Sequence, residues 1–256
     1  VNPQLIIVLF FIIFILIGVG IYIKTFKTYD TLPEILLHNL LIENVYFYTT
    51  LHPKSKQIFR QRVNNFISKT KISRADKHPV ADLDKALIGA SAIIPIFNFP
   101  NWEYHNLSEV IIYNDSFNFQ FNTTGDGRNI LGMVGEGPLK DTLLISKKAL
   151  REGFKEGSNL NTAIHEFVHL IDMSDGHADG IPENLIPKDL IAPWIQIIYN
   201  SIHQIKNNEL PIRQYATTNK AEFFSVISEY FFLKPELLQK ETPDLYKILK
   251  RIYKIR

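Results

Sequence analysis

The segment Ala163-Ile164-His165-Glu166-Phe167-Val168-His169-Leu170-Ile171-Asp172 sets two imidazoles four residues apart with a carboxylate beside the first. On a helix that spacing puts His165 and His169 one turn apart, close enough to share one metal ion. The segment meets the helix condition, because Ile164, Phe167, Val168 and Ile171 recur at i, i+3, i+4 and i+7 as an apolar stripe. His165, His169 and Asp172 fall on another face. Glu166 next to the first ligand suits a general base rather than a ligand, and Asp172 is positioned to accept the second ring N–H of a ligand histidine. The plain alternative is a surface helix with an incidental histidine pair. The chain has no cysteine, so any metal must be held by His, Asp or Glu.

A hydrolytic metal site of this kind needs a third protein ligand and an open position. Glu222 heads a second apolar-periodic stretch in which Phe223, Val226, Ile227 and Tyr230 form the stripe, while Glu222, Ser225 and Glu229 share a different face. Asn219-Lys220-Ala221-Glu222 also has the form of a capping box, so Glu222 is either a ligand or the N3 partner of an N-cap. Glu229 is the rival ligand or an acceptor behind one. Ser158 and Asn159 are candidate N-caps for the first helix.

These two segments, 165–172 and 215–232, closely resemble those of the Mlc titration factor A family of zinc peptidases, with the likeness running over about residues 46–246. The core is likewise similar to the metallopeptidase domain of anthrax lethal factor. The resemblance implies one zinc ion ligated by His165, His169 and Glu222, Glu166 as the catalytic base, and a zincin-like fold of gluzincin type. It also implies that Tyr215, seven residues before Glu222, points at the metal and donates to the oxyanion of the reaction. Some family members have a histidine in the loop corresponding to residues 122–138, where this chain has none.

The elements that must position these groups are mainly helical. Helical spacing runs through residues 31–70, with Pro53 at a helix start, and through 87–97, where Gly89, Ala90, Ser91 and Ala92 suit close packing. Short β-branched or aromatic runs at 110–113, 117–121 and 143–145 predict a small sheet. The glycine-rich stretch 122–138 matches no phosphate-binding fingerprint and reads as a loop rimming a site. Helical spacing returns over 164–173, 190–205, 221–233 and 245–253. The fold class is therefore α+β, a mainly helical domain with a small sheet.

Residues 5–23 carry no charge and are dominated by Ile, Leu, Phe and Val, enough for one transmembrane helix. The organisation expected is an N-terminal anchor over 1–27 and a metallopeptidase domain over 28–256. Lys24 and Lys27 place that domain on the cytoplasmic side of a bacterial inner membrane. A formal net charge of +2, with no long basic block, gives no reason for direct nucleic-acid binding. The basic residues after position 246 read as the solvated face of a last amphipathic helix. Histidines 38, 52, 78, 105, 177 and 203 are left outside the site. The expected activity is hydrolysis of a peptide or protein substrate by a zinc metallopeptidase. The alternative is a membrane-tethered protein that sequesters a transcriptional regulator, the role from which the family takes its name.

Overall fold

The computed structural model describes residues 11–14 and 28–255. The expected membrane span at 5–23 lies outside the described residues except for 11–14, which are helical with exposed side chains. Among the described residues no helix is long and apolar enough to cross a membrane.

The front of the domain is three helices, α1 (Glu34–Asn44), α2 (Tyr46–Thr50) and α3 (Pro53–Lys69), with Pro53 at the start of α3 as its spacing predicts. They pack against α4 (Asp82–Ile96), which is buried continuously from Ala86 to Ile96. Gly89 allows the close approach, since a Cβ there would lie 2.7 Å from Val63 Cγ1.

A four-stranded sheet follows, built from β1 (Lys71–Arg74), β2 (Glu109–Tyr113), β3 (Gly132–Val134) and β4 (Thr142–Ser146) in the order β1-β2-β4-β3. β1, β2 and β4 run parallel, and β3 closes one edge antiparallel to β4 with Met133 opposite Leu144. All five residues of β4 are buried, as suits a central strand covered on both faces. The sheet departs from the sequence reading at three points. The strand expected at 117–121 reduces to one bridge between Phe117 and Ile130, with Phe119 and Phe121 left exposed. β1 has only Ile72 as an apolar residue, so its pattern carried no strand signal. β3 lies inside the glycine-rich stretch read as loop.

The back half consists of α5 (Lys147–Glu152), α6 (Thr162–Asp172), α7 (Lys188–Lys206), α8 (Lys220–Leu233), α9 (Pro235–Glu241) and α10 (Pro243–Ile252). In α10 Leu245, Ile248, Leu249 and Ile252 are buried, so its basic residues form a solvated face. α6 buries Ile164, Phe167, Val168 and Ile171, and the Phe167 ring meets Phe66 and Tyr104 at centroid distances of 5.6 and 5.3 Å. α7 seats Leu190, Trp194 and Ile198 in the core, and Trp194 packs on Phe223 and Phe224 of α8. Its indole N–H donates to the Gly180 carbonyl at 2.7 Å, which fastens the loop after α6.

Trp194 is fully buried between α7 and α8, so Trp194→Ala should cost about 3–5 kcal/mol of folding stability. Urea unfolding followed by circular dichroism measures it, and a loss below about 1 kcal/mol would show that this contact does not hold the back half together.

Candidate metal centre

α6 begins at Asn161, whose side chain accepts the Ile164 N–H at 3.0 Å. This is the N-cap, in place of the expected Ser158 or Asn159. Asn219 caps α8 in the same way through the Glu222 N–H at 2.8 Å. Only half of the capping box forms, because the Glu222 carboxylate turns away from the cap and faces α6.

That turn brings the sequence candidates together. Glu222 Oε2 lies 3.1 Å from His165 Nε2 and 3.3 Å from His169 Nε2, and the two Nε2 atoms are 3.1 Å apart. Among the described residues this is the group of His, Asp and Glu side chains that could hold a metal ion, each offering one ligand atom within 4.8 Å of the others. Four-coordinate donors at about 2.05 Å from an ion stand roughly 3.3 Å apart, so the spacing fits a single small cation.

Behind each ring stands a side chain of α8. Ser225 Oγ lies 3.1 Å from His169 Nδ1. Glu229 Oε2 lies 3.6 Å from His165 Nδ1, which is buried and has no hydrogen-bond partner. Glu229 itself is fully buried. Its Oε1 accepts the Asn161 N–H at 2.6 Å, and its Oε2 accepts from Arg213 Nη2. Glu229 thus stands behind a candidate ligand, and Ser225 takes the place at His169 expected of Asp172.

Asp172 misses that role because its Oδ2 accepts the Gly180 N–H at 2.9 Å and ties the end of α6 to the loop that follows. Arg213 and Asn161 were not singled out in the sequence. Arg213 stands two residues before Tyr215, and a search for a counter-charge to a buried Glu229 would have found it. His177 is exposed and stays outside the cluster, while His38 contacts Tyr48 Oη at 2.7 Å.

The charges follow from burial. Burial alone would depress the His165 imidazole, but the Glu222 and Glu229 carboxylates prevail and raise it to about 9. Burial raises the Glu166 carboxyl above the usual range, against the pull of the neighbouring histidines. Burial likewise opposes ionisation of Glu222, yet its contacts with His165 and His169 hold it well below the usual carboxylate range. Partial burial and the nearby Glu222 carboxylate raise the Tyr215 hydroxyl, which therefore stays protonated as a donor. The Tyr215 ring centroid is 6.1 Å from that of His165.

Glu166, His165, Tyr215 and Arg213 line a hollow of about 500 Å³ whose far wall is residues 129–133, so the glycine-rich stretch does rim the site. Gly132 lies directly over Glu166, where a Cβ would stand 2.9 Å from its Oε1. A larger hollow of about 660 Å³ lies behind the N-terminus of α6 and holds none of the ligand cluster.

A helix bearing two imidazoles and a buried carboxylate, met by a glutamate from a second helix beside a small sheet, defines a metallopeptidase. The chain belongs to the glucose-regulated metallo-peptidase M90 family, whose model matches residues 26–254. It is similar to an uncharacterized protein of Synechocystis sp., 27% identical over 84% of this chain and 82% of the relative. It is also similar to Mlc titration factor A of Pectobacterium atrosepticum, 25% identical over 75% of this chain and 76% of the relative. The protein of the same name from Escherichia fergusonii is 37% identical over 41% of each chain.

Burial pushes the Asp172 carboxyl up to about 7, against the Gly180 N–H, whereas an unfolded aspartate titrates near ~3.9. Between those values the unfolded chain releases a proton that the folded chain keeps, so this group lowers stability as pH rises from about 4 to about 7. Asp172→Asn keeps an acceptor for Gly180 and removes the charge. In urea unfolding the variant should match the wild type near pH 4, gain on it toward pH 7 and hold that gain above. Parallel curves would refute the assignment.

Proposed function

We propose that the chain is a zinc-dependent peptidase of the H-E-x-x-H plus glutamate type, with His165, His169 and Glu222 as ligands of one ion, Glu166 as general base and Tyr215 as oxyanion donor. The observation that carries this reading is the set of three donor atoms at 3.1 to 3.3 Å from one another. Charge supports a dication: with neutral imidazoles, the clustered carboxylates of Glu166, Glu222 and Glu229 outnumber the Arg213 guanidinium by two. An all-nitrogen-and-oxygen donor set with two imidazoles suits zinc. Bound there, zinc supplies Lewis acidity toward water and toward a substrate carbonyl.

Glu166 is not among the three clustered ligands, and its raised pKa suits a base that takes a proton from water and returns it to the leaving amine. Tyr215 is about half exposed at the cleft and donates to the oxygen that gains charge as the carbonyl becomes tetrahedral. Glu229 fixes the His165 ring by facing its Nδ1, and Arg213 pairs with the same carboxylate.

The sheet supports a peptide as the substrate class. Leu131 O and Gly135 N pair with β4, so strand alternation turns the backbone groups of Gly132 and Val134 to the free edge of β3. An extended peptide can add to such an edge beside Glu166. On the composition of residues 5–23, the same reading holds the domain at a membrane.

A second reading rests on the name that several relatives carry, Mlc titration factor A, and has this chain bind a transcriptional regulator at or near the cleft. The variant Glu166→Gln separates the two. Under the peptidase reading it keeps zinc and loses cleavage by about 10²-fold or more, and His169→Ala loses the zinc. Cleavage at the wild-type rate by Glu166→Gln would remove the proposed base. A regulator that is captured equally by both forms and never cut would favour the second reading.

Glu229→Gln should weaken zinc binding about 10- to 100-fold, as measured by competition with a chromogenic chelator. Unchanged affinity would mean that Glu229 serves the fold alone.

A further inference from the structure

We infer that the cleft recognises peptides through one large apolar side chain, seated between Leu131 and Leu160 beside Glu166. This inference rests on the peptidase reading and names its substrate class. The wall of the cleft opposite the ligands is apolar, formed by Phe119, Ile130, Leu131, Met133 and Leu160. Three of these are unusually open for their type: Phe119 is 74% exposed, and Leu131 and Leu160 are each 40% exposed.

Large apolar groups that gather at one concavity, rather than scatter singly, mark a binding surface. They belong to separate segments. Phe119 comes from the failed strand after β2, Leu131 from the residue before β3, and Leu160 from the turn just before the N-cap of α6. None packs its exposed area on another element of the domain.

Their location ties them to the chemistry. Leu131 precedes Gly132, which lies over Glu166, and Leu160 stands two residues before Thr162, whose Cγ2 is also within 2.7 Å of a Cβ built on Gly132. A peptide laid along the free edge of β3 would therefore bring a side chain onto Leu131 and Leu160 while its backbone passes the base.

The groove continues past this point. Leu131, Leu160 and Thr162 also line a second hollow of about 350 Å³, which Asp115, Lys148 and Glu152 line as well. The apolar pair is thus shared by two hollows, one lined also by His165 and Glu166 and the other by charged side chains. That layout takes an extended chain, reads one bulky residue at the apolar pair, and tolerates polar residues beyond it.

The test uses the purified zinc-loaded chain and a library of internally quenched peptides varied one position at a time. Expected is a single position, adjacent to the cleaved bond or one residue from it, at which Leu, Phe or Met exceeds Ser, Gly or Asp by at least about tenfold in kcat/KM. The double variant Leu131→Ser with Leu160→Ser should lose that preference and keep its zinc content, because neither side chain touches the ligand cluster. Leu160→Met should retain it.

Wild-type cleavage with no apolar preference at any position would overturn this inference and leave the peptidase reading standing. A preference unchanged in the double variant would overturn it too. A wild-type chain that holds zinc and cuts no peptide in the library would overturn the peptidase reading itself, and this inference with it.

Discussion

A carboxylate taken fully out of water must be matched by donors and positive charge, and Glu229 is the group on which that requirement falls hardest. Its two oxygens are met by the Asn161 N–H and the Arg213 guanidinium, and Oε2 also faces His165. These partners come from the start of α6, from the segment that carries Tyr215, and from α6 itself one turn on. One buried charge on α8 therefore joins the first turn of α6 and the segment around Arg213 to its own helix. Apolar packing of Phe167, Phe223 and Trp194 brings the helices together, but it does not specify their rotation. The charged face does, because an error of one position would leave Glu229 without partners.

The same logic extends to the cleft. Glu166, Glu222 and Glu229 are crowded near two imidazoles and one guanidinium, and the surroundings shift Glu222, Glu166 and His165 in different senses. Glu222 is driven toward the anion, Glu166 toward the acid, and His165 toward the cation. A group poised to accept and return a proton and a group poised to bind a cation are thus distinguished by burial and neighbours, although both are glutamates.

Much of the site was legible in the sequence because its geometry is local. His165, Glu166 and His169 depend only on the pitch of one helix, and Glu222 on the face of another. The capping ambiguity at Glu222 could not be resolved from spacing, since an N3 glutamate can turn either toward its own cap or outward. Only the neighbouring helix decides, and α6 offers two imidazoles. Asp172 went the other way for the same kind of reason: its pattern suited His169, but the returning loop presents the Gly180 N–H, and Ser225 from α8 reaches His169 instead. In the fold, the helices were visible as periodicity. β1 and β3 were not, because one has a single apolar residue and the other is short and glycine-led. Both are strands by virtue of their partners, Val110 and Leu144 opposite, rather than by their own composition. The aromatic run at 117–121 had the opposite fate, with strand-like residues and nothing to pair with beyond Ile130.

Gly132 gives the sheet a second role. Its neighbours along the chain are Leu131 and Met133, both large, and the strand is only three residues long. A slip of one residue against β4 would exchange the two faces of β3 and drive a bulky side chain into the space beside Glu166. Such a slip would close the space over Glu166. The pairing of Met133 with Leu144 thus works as an alignment mark. A β3 seated one residue out of place would still be a strand, but it would no longer leave room beside Glu166.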